Sequence, residues 1–348
     1  MDISITSTSV LKWIENRHQS NGTQHPQYLL KFYSPKNYNF ISLENGEVFM
    51  SSHANFNDPY DCKLTFNWDD LLKRYLTDWI CHDCKNIEHN VVGTDCFDWN
   101  DSYILGCTKD PSPVHHRNDY RETVDGALRS ILTTKDLSFK RIVIKNINRL
   151  LKRTQAFIRE LDRYSDIGVS CFCNCERPYN IDQTNLMWSH YAQNHQGFCV
   201  MYCFDERIIG KSLSSNLLKS MVPVTYTKHR IFIPKMTILR YLNDRLLLND
   251  RDNLVDRIGH SLITKSTVWK YENEWRFISN KVKETVPFPY ASAVFIGSRA
   301  SKGTREKLTR IASNLNIPIY QTELNNSIYK LNNFNPEEVY NQLLYKSL

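Results

Sequence analysis

The stretch STVWKYENEWRFISN, residues 266–280, sets two glutamates one residue apart inside a run of aromatic side chains. Successive side chains of an extended strand point to opposite faces. Trp269, Tyr271, Trp275 and Phe277 therefore fall on one side, and Lys270, Glu272, Glu274 and Arg276 on the other. The aromatic side belongs against a core. The charged side has two readings: a solvated face of an antiparallel strand whose glutamates pair with neighbouring cations, or two carboxylates about 7 Å apart that act on different atoms of one bound sugar.

Working outward from this strand, short β-branched and aromatic runs bounded by turn residues recur. YLLKFYS and GEVFMSS lie early in the chain, IGVSCFCN, FCVMYCFD and MVPVTYTK in the middle, and SAVFIGS, IPIYQTEL and SIYKLNN near the end. Helical periodicity appears over residues 8–19, in NLMWSHYAQNHQG (a helix stopped by Gly197), over residues 235–265 and in KGTREKLTRIASNLN. The spacing predicts an α+β fold around a mainly antiparallel sheet with flanking helices. Residues 29–65 and 166–348 would form the core domain and residues 1–28 an N-terminal helical cap. Each core segment holds too few strands to bury both faces of a sheet alone, so the two must share one. Between them, residues 66–165 carry the amphipathic patterns DDLLKRYLTDWI, YRETVDGALRSIL and FKRIVIKNINRLLKRTQAFIRELDRY, which read as a helical insertion. The basic side chains of the last are read as a solvated face.

With 41% hydrophobic residues over 348 positions, the chain has ample material for a core. No stretch approaches the ~20 apolar residues of a membrane span, and MDISITSTSVLKWIENRHQ lacks the pattern of a signal peptide. The expectation is a cytoplasmic protein with no membrane partner. Ten cysteines spread over this length, several in strand-like runs, read as reduced and buried. The net charge of +7 favours a polyanionic partner without requiring one.

NFNDPYD, residues 55–61, reads as a rigid loop directly after a strand, with Asn57 and Asp58 fixed by their own turn. In MWSHYAQNHQGFC, His190 and His195 stand five apart, whereas metal ligands on one helix face stand three or four apart. A hydrogen-bonding role toward a ligand, or capping of the helix by His195, fits better. CHDC at residues 81–84 has no second knuckle, and Cys171, Cys173 and Cys175 share a strand face without an evident fourth ligand, so no zinc site is assigned. The chain lacks the phosphate-binding loop, the dinucleotide fingerprint, the zincin helix and the hydrolase elbow.

Together, LENGEVFMSSHANFNDPYD, NLMWSHYAQNHQGFCVMY and KSTVWKYENEWRF resemble the bacterial domain-of-unknown-function family 2971, in order and spacing over residues 29–65 and 166–297. The layout of an early strand with a polar residue, an aromatic-rich element and a late Glu-x-Glu strand is similar, more distantly, to ADP-ribosyltransferases, which bind NAD in a split antiparallel sheet. That resemblance implies an NAD-consuming transferase, acting as a toxin or anti-phage defence effector that modifies a protein or nucleic-acid acceptor and answers to an antitoxin or regulatory partner. It makes Glu274 and Glu272 the catalytic pair. Glu274 would stabilise the charge that develops as the nicotinamide–ribose bond breaks, and Glu272 would deprotonate the acceptor. NAD would be held by Lys31, Tyr33, Asn57, Asp58, His190, Tyr191 and His195. Two alternatives stand beside it: a metal-dependent nuclease or phosphodiesterase with Asp58, Asp61, Glu272 and Glu274 around Mg²⁺, and a non-enzymatic binding module.

Overall fold

The computed structural model describes residues 5–20, 24–67, 71, 137, 141, 145, 148, 151–157, 161, 167–175, 184–210, 215–242, 248–327 and 331–347. The chain divides into two compact units, one of Met1–Ser4, Leu64–Arg163 and Phe232–Arg257, the other of Ile5–Lys63, Tyr164–Ile231 and Ile258–Leu348. In the first, described residues of 137–161 are helical, Ile233 N donates to Thr65 O at 2.8 Å, and the Phe157 and Tyr241 rings lie 4.2 Å apart. Of the helix expected over DDLLKRYLTDWI only Leu71, helical and buried, is among the described residues; the helix expected over YRETVDGALRSIL and the cysteines of CHDC fall outside them. No described helix is long and apolar enough to cross a membrane.

The second unit is a mixed α/β structure with a largely antiparallel sheet. Its described strands, in chain order, are β1 (Tyr28–Tyr33), β2 (Glu47–Ser52), β3 (Gly168–Cys173), β4 (Phe198–Cys203), β5 (Met221–Pro223), β6 (Thr225–Thr227), β7 (Thr264–Ser266), β8 (Glu274–Ser279), β9 (Glu284–Pro287), β10 (Ala291–Ile296), β11 (Ile319–Gln321) and a separate antiparallel pair, β12 (Glu323–Leu324) and β13 (Leu331–Asn332). Neighbours run β11-β10-β4-β1-β3-β2-β9, with β8 on the remaining edge of β3 and β5 beyond it. Only β10 and β11 pair in parallel within this sheet, and β6 and β7 form a separate parallel pair.

One edge of β3 is shared between two strands. Cys173 at its C-terminal end pairs with Leu30 of β1, and Val169 and Gly168 at the other end pair with Ser51 and Ser52 of β2. The strands part between these points, and there the Lys31 ammonium donates to Cys171 O at 2.8 Å.

Alternation along the strands gives the sheet two apolar faces. Leu29, Phe172, Val200, Tyr202, Trp275 and Val294 meet Phe40 and Leu43 of the helix Asn37–Glu44 and Leu308 and Ile311 of the helix Lys302–Leu315. On the opposite face Leu30, Phe32, Cys173, Met201 and Phe295 meet Met187 and Trp188 of the helix Thr184–His190 and Val339 and Tyr340 of the helix Pro336–Lys346. Each such fully buried aliphatic or aromatic side chain contributes about 1.5–3 kcal/mol over an exposed one.

Two sequence readings are corrected. The helix expected to run to Gly197 ends at His190 and is followed by a turn in which Gln193, Asn194 and His195 all take positive φ. Gly197 is required for close approach instead, since a Cβ there would lie 2.0 Å from Tyr33 O. The second correction concerns residues 267–272, read as strand. They form a 3₁₀ helix, Thr267–Glu272, and β8 begins only at Glu274. Asn273 between them is left-handed at φ 41°, a conformation asparagine tolerates better than most residues. The aromatic spacing that mimicked strand alternation is carried by this tight helix.

Candidate functional site

The 3₁₀ turn and the left-handed Asn273 bring both glutamates to one lysine. Lys265, on β7, donates from Nζ to Glu272 Oε2 at 2.5 Å and to Glu274 Oε2 at 2.9 Å, and lies 3.7 Å from Asp61 Oδ2. Arg276, two residues along β8 from Glu274, is fully buried. Its Nε donates to Glu274 Oε1 at 2.7 Å, its Nη2 to Asp61 Oδ1 and Oδ2 at 2.9 and 2.7 Å, and its Nη1 to Leu262 O at 2.7 Å. The backbone N–H of Glu274 donates to the Tyr226 hydroxyl at 2.8 Å. These charges are interior rather than a solvated strand face: Asp61, Lys265, Glu272, Glu274 and Arg276 are each 5% exposed or less. Buried ions cost several kcal/mol each to desolvate, so such a cluster persists only where the charges are paired and hydrogen-bonded; here each of the three carboxylates accepts from Lys265, from Arg276 or from both.

The two glutamates differ in character. Burial works to raise the Glu274 carboxyl, but Arg276 and Lys265 outweigh it, and a hydrogen bond from the Cys171 thiol adds to them, holding the group at about 2. Glu274 is thereby held as an anion down to strongly acid pH, with its oxygens occupied by Arg276 and Lys265. For Glu272, burial prevails over the attraction of Lys265 and raises the carboxyl above its ordinary value. Its Oε1 accepts from the Tyr191 hydroxyl at 2.7 Å, and that hydroxyl accepts from Asn57 Nδ2 at 3.4 Å. Burial, with Glu272 beside it, raises Tyr191 well above the usual phenol. The chain Asn57–Tyr191–Glu272 leads from an exposed loop residue through a half-buried phenol to a buried acid.

The loop after β2 is held by its own side chains, as its composition predicts. Ser52 caps the 3₁₀ turn His53–Asn55. Asp58 Oδ1 accepts from Tyr60 N at 2.9 Å while Oδ2 accepts from the indole of Trp269 at 2.7 Å. Trp269, half-buried, thereby joins a cluster of rings. Its centroid lies 6.1 Å from His190 and 6.0 Å from Tyr271, and His190 is 6.4 Å from Tyr271 and 6.3 Å from Tyr191. Asn57, Asp58, His190, Tyr191, Glu272 and Glu274 are thus linked by an unbroken series of contacts.

The other residues expected to hold NAD lie elsewhere. Leu30 shares a face with Cys173 and Glu274 through the pairing of β1, β3 and β8, so alternation puts Lys31 and Tyr33 on the opposite face of the sheet. Lys31 sits 5.0 Å over the Phe172 ring, burial lowering its ammonium, and the Tyr33 hydroxyl bonds that of Tyr202 at 2.8 Å. His195 stacks on Trp188 at 5.9 Å and accepts from Arg299 N through its carbonyl; burial, and Arg299 after it, lowers its imidazole. Tyr33 and His195 share none of the contacts above with the Glu272 cluster, whereas Lys31 reaches it only through its charge, which acts on Glu274.

Sequence reading missed Lys265, because a lysine in the short strand TKS has no motif. Trp269 was assigned to the core, yet its indole is the strut between the loop and the glutamates. Among the described residues, no group of three or more His, Cys, Asp or Glu side chains is arranged to hold a metal ion. The shallow depression along the C-terminal helix, lined by Asn335, Glu338 and Tyr345 among others, shares no residue with the cluster.

No curated protein and no solved structure gives a significant match to the chain. The segment that supplies both glutamates, Lys265, the ring cluster and Arg276, residues 187–277, is a match to the family described as Protein of unknown function (DUF2971).

Proposed function

We propose that this protein transfers a glycosyl group, breaking the nicotinamide–ribose bond of NAD and passing ADP-ribose to an acceptor, with Glu272 as the working carboxylate. The observation that carries the reading is the 2.7 Å hydrogen bond from Tyr191 to Glu272 beneath a partly exposed group of rings. In this reaction the electron pair of the glycosidic bond leaves with nicotinamide, positive charge develops on the ribose, and the acceptor's O–H or N–H loses its proton as the new bond forms. An acid with a raised carboxyl, reached through a phenol, suits the last step. Rings that lie 6.0–6.4 Å apart offer faces for the nicotinamide.

The division of labour differs from the one the sequence implied. Glu274, its oxygens taken by Arg276 and Lys265, supports the reading as a fixed charge behind Glu272 rather than as a group that touches ribose. An ADP-ribosyltransferase-like split sheet, a cytoplasmic role as toxin or defence effector, and a protein or nucleic-acid acceptor belong to the same proposal. The shared edge of β3 supports the split sheet, and the net charge of +7 suits a polyanionic acceptor. A nuclease or phosphodiesterase built on Asp58, Asp61, Glu272 and Glu274 is disfavoured, because Mg²⁺ would have to displace the Trp269 indole from Asp58 and two buried cations from the other three carboxylates.

The test is nicotinamide release from NAD by the full chain and by Glu272→Gln. Turnover that falls by ~10²-fold or more in the variant, the scale of a lost acid–base group, with folding intact, supports the proposal. Absence of release by the parent protein, with and without candidate protein or nucleic-acid acceptors, would overturn it.

A further inference from the structure

The rings above Glu272 have an internal precedent. Trp269 already carries an ammonium on one side, with Lys265 Nζ 5.1 Å from its ring centroid. The electron-rich faces of tryptophan and tyrosine attract cations electrostatically, and more strongly when water is excluded. His190, exposed, and Tyr271 and Trp269, half-buried, lie in mutual contact beside Tyr191, whose hydroxyl binds the same glutamate that Lys265 binds, and the charge of that glutamate acts on Tyr271. The buried charges behind them do not balance. Asp58, Asp61, Glu272 and Glu274, when ionised, set four negative charges against the three positive charges of Lys265, Arg276 and Lys31, whose ammonium acts on Glu274 from the other face of the sheet. The remaining negative charge lies under the rings, on the side of Glu272 reached through Tyr191.

We infer that His190, Trp269 and Tyr271 form a binding site for an organic cation, either a pyridinium-type ring or a quaternary ammonium group, with Glu272 as its counter-charge. This deepens the reading of the site as one for NAD, on which it rests for the identity of the ligand: the oxidised nicotinamide ring is a cation, whereas the reduced ring is neutral. The site would then select by charge before any chemistry begins. A neutral ring of the same size would gain the stacking contact but not the attraction to the π faces and to Glu272. A cation without a ring would gain the attraction but not the stacking.

Calorimetric titration of the full chain with N-methylnicotinamide methylated on the ring nitrogen, a pyridinium cation, with neutral nicotinamide and with tetramethylammonium separates these contributions. The expected result is N-methylnicotinamide binding at least ~10-fold more tightly than nicotinamide, with that preference reduced to ~3-fold or less in Tyr271→Leu and in Glu272→Gln. Tetramethylammonium that competes for the site assigns it to ammonium groups in general, and failure to compete assigns it to ring cations; both require the cation to be preferred over the neutral ring. Nicotinamide bound as tightly as N-methylnicotinamide, no binding of any probe, or a preference untouched by both substitutions would overturn the inference. Its failure is separable from that of the proposed reaction. Cation binding without nicotinamide release from NAD leaves the site and removes the activity, and release without charge preference does the reverse.

Discussion

Glu272 and Glu274 accept hydrogen bonds from the same Lys265 ammonium, at 2.5 and 2.9 Å, yet they belong to different backbone elements and carry carboxyls shifted in opposite directions. Glu274 opens a strand and is locked by Arg276; Glu272 closes a 3₁₀ helix and faces Tyr191. One residue of left-handed backbone at Asn273 separates a structural anion from a group that can exchange a proton.

Substitution should therefore separate the two. Glu274→Gln leaves Arg276 with a neutral partner inside the core and is expected to cost about 2–4 kcal/mol of stability. Glu272→Gln is expected to cost less, and to remove activity instead. Denaturant unfolding of both variants checks this. Equal losses would return the pair to a purely structural role.

Arg276→Leu should be the most damaging of the single changes in the cluster. It strands the anions of Asp61 and Glu274 in the interior, and breaking a buried pair from one side costs about 3–5 kcal/mol. Loss of the cooperative unfolding transition, or a midpoint lowered accordingly, is the expected outcome. If the midpoint stays within a degree or two of the parent's, the carboxylates are hydrated in solution.

The two glutamates also predict opposite pH dependences. The Glu274 carboxyl is depressed from 4.5 to about 2, so the stability it contributes is present above 4.5 and is lost as pH falls through about 2. Glu272 is raised from 4.5, so its contribution is present below 4.5 and fades as pH rises through its folded value. Unfolding free energies measured against pH should show the difference between parent and Glu274→Gln shrinking on acidification. The difference between parent and Glu272→Gln should move in the variant's favour as pH rises above 4.5.

Tyr191→Phe keeps the ring and removes the hydroxyl between Asn57 and Glu272. Under the proposed reaction it should lower transfer to an acceptor by about 10-fold or more while leaving the affinity for N-methylnicotinamide within about 2-fold. An unchanged transfer rate would take Tyr191 out of the proton path.

Much of this was legible in the chain. Strands β1 to β4 announce themselves by alternation and turn residues, and the contacts among Asn57, Asp58, His190, Tyr191 and the glutamates join residues that their motifs had singled out. What stayed hidden depends on contacts between distant segments. Alternation cannot distinguish a 3₁₀ turn such as TVWKYE from a strand when its aromatic residues happen to recur at every second position. Nor can it show that a charged face turns inward, because nothing in the sequence says that Asp61, singled out only as a possible metal ligand, and Lys265, carried by no motif, are the partners that make burial tolerable. Lys31 was misplaced for a related reason: a polar residue on an early strand looks available for a ligand until the parting of β1 and β2 gives its ammonium a carbonyl to bind.

A last consequence concerns time. Asp61 and Arg276, joined by two hydrogen bonds, stand 215 residues apart. Ribosomes add about 5–20 residues per second, so the aspartate leaves the ribosome roughly 10–40 s before the guanidinium that neutralises it exists. During that interval the loop after β2 must remain hydrated, and β3, which arrives between the two, waits for β8 with one edge bare. A nascent chain arrested before residue 276 should accordingly be sensitive to protease at residues 53–63, and protection there should appear in a single step once β8 has been made.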